Sequence, residues 1–246
     1  MEYEIISLEE RFDLFQAQDG LCDEAWPEFM MHDPVTKEWM TFIQGYKEYQ
    51  LLMMEGEEIL GIINTIPVKF NSADAEGLPE EGWDAGFLSG LKCLKEGTEP
   101  TMLMGVQIVI NKKYQGCGLS LPAVKEMAAL ARRKGFKDLV IPVRPSEKHK
   151  FPLIPMEEYL SWEKEPGLPY DGWLRGHVRA GGEIVNICPR AMYIPGTIEE
   201  WETWTGLEIP GSGSYVVPGA LNPVEMDVEK DLGVYGEPNV WVRHRV

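Results

Sequence analysis

Apolar and polar positions fall in blocks along this chain, and the clearest block runs from Met102 to Val143. Met102-Leu103-Met104-Gly105-Val106-Gln107-Ile108-Val109-Ile110 holds one strongly polar residue, Gln107, which predicts a central strand buried on both faces. A polar Asn111–Tyr114 and a turn, Gln115-Gly116-Cys117-Gly118-Leu119-Ser120, follow. Leu121, Val124, Met127, Ala128, Leu130 and Ala131 then recur at helical spacing, and Gly135 supplies a stop. Leu139-Val140-Ile141-Pro142-Val143 reads as a second strand. Proline cannot donate to a ladder, so Pro142 sits at an edge, a bulge, a split or a plain strand end.

The same reading extends outward. Glu4–Ile6 is a short strand, and Ser7 with Glu10 forms a capping box for a helix through about Ala17. Two further helical stretches, Glu24–Met31 and Val35–Gly45, are separated by His32-Asp33-Pro34. Tyr49–Met54 and Ile59–Val68 around a Glu55–Glu58 turn predict an antiparallel hairpin. Asn71–Glu99 is acidic and glycine-rich, and is expected to be a solvated loop with a short helix at Phe87–Leu94. Its Asp74, Glu76, Glu80, Glu81 and Asp84 are either surface charges or an acidic gate for a cationic substrate. Beyond Arg144 come a helical piece around Met156–Lys164, a helix over Asp171–Gly182 and a strand at Glu183–Ile187. The last segment carries Trp201, Trp204, Tyr215, Tyr235 and Trp241, too apolar for a disordered tail. Thr197 and Glu200 cap a helix there, and Gly213–Val217, Ala220–Met226 and Val240–Val242 are strand candidates. The expected organisation is a single α/β (α+β) domain over residues 1–246, with a core at about 3–187 and a β-rich extension at about 188–246 packed on it.

Charge sharpens the view of the central block. The chain carries −17 overall, yet Lys112, Lys113, Lys125, Arg132, Arg133, Lys134 and Lys137 cluster around the turn and helix with only Glu126 opposing them. A glycine turn opening a helix presents free N–H groups and the positive end of the dipole, a setting that binds phosphate. Lys112 and Lys113, beside the turn, are the basic side chains expected to assist. The overall negative charge argues against nucleic acid and against an anionic membrane as partners, and is compatible with a cationic small substrate.

Other chemistries are excluded by pattern. No Gly-Lys-Ser/Thr follows the turn, and position 121 is leucine where a third dinucleotide-binding glycine would stand. His32, His149, His177 and His244 lie far apart and Cys22, Cys93, Cys117 and Cys188 form no CxxC pair, so no metal site is indicated. Scattered thiols without a signal peptide predict a cytoplasmic protein with reduced cysteines.

Tyr114-Gln115-Gly116-Cys117-Gly118-Leu119-Ser120 resembles the Arg/Gln-x-x-Gly-x-Gly/Ala signature of the GNAT superfamily of acyl-CoA-dependent N-acyltransferases. The resemblance implies a mixed, mostly antiparallel sheet splayed between its two central strands, with acetyl-CoA (or another acyl-CoA) as co-substrate and no metal. Carried over by position, the pyrophosphate contacts fall on Gln115, Gly116, Cys117, Gly118, Leu119 and Ser120. The pantetheine contacts fall on Ile108, Val109 and Ile110. Ser120 departs from the usual Gly or Ala, though its hydroxyl is placed to cap the helix or meet a phosphate.

Pro142 fits the splay. Trp26, Phe29, Met30, Trp39 and Phe42 either border the acceptor pocket or belong to the core. Aligned on Gly181, His177 stands where the family often has a general-acid tyrosine. At a helix C-terminus the dipole would favour its imidazolium form, a donor to the leaving thiolate. No carboxylate lies on Met102–Ile110 to act as base, and Gln107 is the one polar group there that could hold a water. The implied function is acyl transfer, usually acetyl, to the amine of a small molecule or peptide by direct attack, with a homodimer as a further expectation. The alternatives are a non-catalytic acyl-CoA-binding or sensing module of the same fold and an interaction domain whose turn is purely structural.

Overall fold

The structure is a computed structural model that describes residues 2–74 and 76–246. Met1 and Ala75, the latter inside the acidic 71–99 stretch, lie outside the described residues. Eleven strands form among them: β1 Glu4–Ser7, β2 Gln50–Glu55, β3 Glu58–Val68, β4 Met102–Ile110, β5 Asp138–Val143, β6 Glu163–Glu165, β7 Leu168–Pro169, β8 Glu183–Gly196, β9 Gly213–Tyr215, β10 Val224–Asp227 and β11 Leu232–Arg245. The helices are α1 Phe15–Asp23, α2 Trp39–Gly45, α3 Gly82–Glu96, α4 Ser120–Arg133, α5 Met156–Leu160, α6 Gly172–Arg179 and α7 Ile198–Thr205. The order in the main sheet is β1-β2-β3-β4-β5-β11-β10-β9, with β8 also paired to β11, and β6-β7 form a separate two-stranded ribbon.

One junction in the main sheet is parallel. β4 and β5 pair only at Leu103 with Leu139 and Met104 with Val140, and then diverge. Past that point β4 keeps β3 on one side, with a bulge between Asn64 and Thr65, and β5 keeps β11 on the other. Pro142 lies in the diverging part of β5, opposite Trp241 of β11, where a missing donor towards β4 has no consequence. The expected splay is therefore present.

Two apolar layers cover the sheet. Phe42, Ile62, Ile66, Phe87 and Met104 pack beneath α2 and α3, while Leu103, Val124, Met127, Leu130 and Leu139 are buried on the α4 side. Gly135 adopts φ +81° and ends α4 as expected.

Three expectations are corrected. The acidic stretch holds a 15-residue helix, α3, in which Asp84 is buried rather than solvated. Gly86 and Gly90 sit against Met104 and Ile66, so their small size lets α3 lie close to the sheet. The Ser7–Glu10 box forms reciprocally, yet the helix after it starts only at Phe15. Finally, the segment expected as an extension threads a strand through the sheet: β11 runs 14 residues and pairs with β5, β8 and β10. Pro238 is accommodated at a register shift between Glu237 and Asn239.

Candidate active site

The glycine turn forms a recess at the start of α4. Gly116 and Gly118 have φ +79° and +78°, values that a side-chain-bearing residue adopts only with strain. The Cys117 N–H is taken by the Tyr114 carbonyl, while those of Gly116, Gly118, Leu119, Ser120 and Leu121 make no backbone bond among the described residues. Ile108, Ile110, Gln115, Gly116, Gly118, Ser120 and Leu121 line the recess together with Ser146, Trp173 and Gly176. Val109, Cys117 and Leu119 of the expected set do not line it: Val109 and Leu119 are core residues and the Cys117 side chain is exposed. Strand alternation explains the split. Asn111 N–H donates to Leu60, so the odd-numbered residues turn their backbone to β3, and Ile108 and Ile110 turn theirs to the gap. The Ile110 carbonyl there accepts from Gln115 Nε2 at 3.3 Å.

Two details of the turn differ from expectation. Ser120 is the first residue of α4 and caps nothing, because Leu119 occupies the capping position. Lys112 and Lys113 are tied in surface ion pairs to Glu24 and Glu58, and neither lines the recess.

Ile108, Ser146 and Trp173 line both the recess and an adjoining cavity of about 500 Å³, so the two lie side by side at the splay and share a wall. Trp26, Met30, Trp39, Trp83 and Met192 give the cavity an apolar wall, and Pro142 and Val143 contribute from β5. Phe29 and Phe42, from the aromatic set singled out in the sequence, belong to the core instead.

Gln107 reaches this cavity with three hydrogen bonds already made. Its Oε1 accepts from Trp26 Nε1 at 2.9 Å, and its Nε2 donates to Asn64 Oδ1 at 2.8 Å and to Cys22 Sγ at 3.1 Å. Asn64 in turn donates to Gln50. The amide therefore orients Trp26 and the strand edge through both its N–H groups and one lone pair of Oε1, which leaves the second lone pair as the place where it could hold a water. Burial pushes the Cys22 thiol up to about 12, which leaves it a neutral hydrogen-bonding group.

The cavity is also charged. Asp19 and Asp23, one turn apart on α1, line it, and burial together with Asp23 raises the Asp19 carboxyl above its usual range. Glu237 is fully buried, accepting from Arg144 Nε at 2.9 and 3.0 Å and from the Tyr235 hydroxyl at 3.0 Å. Burial raises its carboxyl while Arg144 opposes the shift. These four residues were not anticipated. Asp19 and Asp23 had a visible i, i+4 spacing, but Arg144 and Glu237 are 93 positions apart and no local signal joins them.

His177 is held by α6, whose Asp171 carboxylate accepts from the N–H groups of Trp173 and Leu174 at 2.9 and 3.1 Å. Its ring lines the cavity edge-on to Trp173, is fully buried, and has Nδ1 3.0 Å from Nε2 of His244. Burial, with His244 second, lowers its pKa to about 3. The expectation of an imidazolium fails here, because loss of hydration in this site outweighs the pull of the helix dipole.

Among the described residues no group of side chains has a metal-ligand arrangement, and no helix is long and apolar enough to cross a membrane.

Comparison with known proteins adds an independent line. No family model matches the chain. Its fold is similar to the loading GNATL domain of CurA from Lyngbya majuscula, with TM-score 0.60, 18% identity, and coverage of 100% of this chain and 98% of the other. A second solved structure, the GNAT-like decarboxylase GphF in complex with isobutyryl-CoA, aligns with TM-score 0.57 at 14% identity, covering 100% and 99%. In sequence the chain is 31% identical to the arginine N-acetyltransferase avaD of Aspergillus versicolor, over 90% of this chain and 85% of that protein. With the splayed sheet, the glycine turn opening α4 and this likeness over nearly its whole length, the chain belongs to the GNAT superfamily of acyl-CoA-dependent N-acyltransferases.

Proposed function

We propose that this enzyme transfers an acetyl group from acetyl-CoA to a cationic amine of the arginine type. The observation that carries the reading is that the recess at the glycine turn and a cavity lined by Asp19, Asp23 and Glu237 adjoin, sharing Ile108, Ser146 and Trp173 in their walls. Pyrophosphate oxygens accept from the free N–H groups of Gly118, Leu119, Ser120 and Leu121, where the dipole of α4 adds to the attraction. The pantetheine amides pair with the open edge of β4 at Ile108 and Ile110. This brings the thioester to the divergence of β4 and β5. The acceptor enters from the α1 side, its positive charge facing Asp19 and Asp23. Holding both reactants side by side supplies the orientation that direct attack requires.

His177 serves the leaving thiolate from its neutral form, through Nε2. The arginine acceptance of the 31% identical relative agrees with the acidic lining. Incubation with acetyl-CoA and a panel of arginine, agmatine, lysine and an uncharged amine, read by free thiol, tests the proposal. Release with the cationic amines is expected. Release without preference for charge, or none with any cationic amine, would overturn it.

A further inference from the structure

His177 is fully buried, and its Nε2 is sealed from solvent without a protein hydrogen bond among the described residues. Its other nitrogen lies 3.0 Å from His244 Nε2, its one hydrogen-bond partner among the described residues. That approach is built into the backbone. A Cβ at residue 182 would lie 2.8 Å from His244 Cε1, so Gly182 clears the space after α6 for the second ring. His244 retains 4% of its surface, and its Nδ1, unlike His177 Nε2, is not sealed and makes no hydrogen bond among the described residues.

We propose that His244 completes a two-imidazole proton path from the acyl-transfer junction to solvent, with His177 as the inner member. The inference rests on the role given to His177 above. A ring this deeply buried resists carrying charge, so a proton gained at Nε2 must be matched by one lost from Nδ1. His244 is the group placed to take it. As the acceptor nitrogen bonds to the acyl carbon, an N–H bond breaks and an Nε2–H bond forms on His177. The Nδ1 proton of His177 passes to Nε2 of His244, and the Nδ1 proton of His244 leaves to water. When the C–S bond breaks, the thiolate takes the Nε2 proton and both transfers run back, with water resupplying His244. Both rings recover their starting tautomers, and nothing is oxidised or reduced. The acceptor enters this cycle as the free amine, its ammonium proton already given to bulk solvent, and the one further proton it loses ends on the thiol. His244 is thus a positioning and relay residue that does not itself touch substrate.

The test is His244→Gln, whose amide keeps a hydrogen bond to His177 but does not relay protons. Turnover is expected to fall about tenfold or more, within the range of lost proton-transfer catalysis. The KM for acetyl-CoA and the melting temperature should stay near wild type. The solvent deuterium isotope effect on kcat should change, which a purely structural loss would not produce. Wild-type turnover in His244→Gln, with His177→Ala impaired, would overturn the path and leave the role of His177 standing. Wild-type turnover in His177→Ala would remove both. Should the glutamine variant not fold, imidazole added to His244→Ala takes its place: recovery of turnover supports the path, and no recovery overturns it.

Discussion

The recess at the glycine turn and the acidic cavity beside it are built by different means. The floor of the recess is consecutive backbone, two glycines at positive φ, a run of unbonded N–H groups and the first turn of α4, with β4 and α6 contributing its walls. The cavity is made of side chains brought from α1, α2, α3, α4, α6, β4, β5, β8, β11 and the loop after β5. Under the proposed function the backbone site takes what every acyl-CoA shares, the phosphates and the pantetheine amides. The side-chain site can vary in charge and shape without disturbing it, which suits it to acceptor choice.

Separate variants should therefore move separate constants. The largest effect is expected at Gly118. Its Cβ position meets no protein atom within 4 Å, so Gly118→Val acts through the backbone and through the space left for phosphate. Left-handed backbone costs a non-glycine residue about 1–2 kcal/mol, which predicts about tenfold weaker CoA binding by calorimetry with the fold intact. Unchanged affinity would mean that the pyrophosphate lies elsewhere. An intermediate effect is expected from Asp19→Asn combined with Asp23→Asn. Partly exposed charges contribute about 0.2–1 kcal/mol each, so the KM for a cationic acceptor should rise about two- to thirtyfold while the KM for acetyl-CoA holds. An equal rise in both would break the separation of the two regions.

The smallest effect on catalysis is expected from a pair just outside the cavity. Asp84 accepts from Tyr193 N–H and Asp33 from Val35 N–H, and each keeps one buried oxygen without a partner among the described residues. Burial first, and Asp33 second, raise the Asp84 carboxyl to about 9. The folded protein therefore keeps a proton that the unfolded chain releases near pH 4, and stability falls as pH rises from about 4 towards 9. Asp84→Asn removes this slope. Its melting temperature should gain on wild type between pH 5 and pH 8, by about 2–4 °C for each kcal/mol of difference, with both KM values unmoved. Parallel pH profiles for the two proteins would show that Asp84 ionises normally.

Much of the fold was legible because its signals are local. The apolar run of β4, the glycine turn, the period of α4 and the stop at Gly135 lie within 42 consecutive residues, and each depends on neighbours in sequence. The capping box of Thr197 and Glu200 is equally local and forms as read. Reading failed where glycine has a distant reason. Gly82, Gly86 and Gly90 suggested a loop, but they let α3 press against β3, β4 and β8. Gly233, Gly236 and Pro238 similarly concealed the length of β11, whose irregularities are absorbed by bulges against β8.

By itself, then, the order of residues determined the glycine turn that opens α4, the proline in the strand beside the splay, and the placing of His177 near the end of α6. Only tertiary structure decided how deeply His177 is buried, what stands behind it, and which acids line the cavity. The physical reason is that helix capping, turn conformation and amphipathic period act over a few residues, while desolvation and ion pairing act through space. The dipole at the end of α6 could be read from the sequence. The burial that overrides it comes from Trp173, the cavity walls and a histidine 67 positions away.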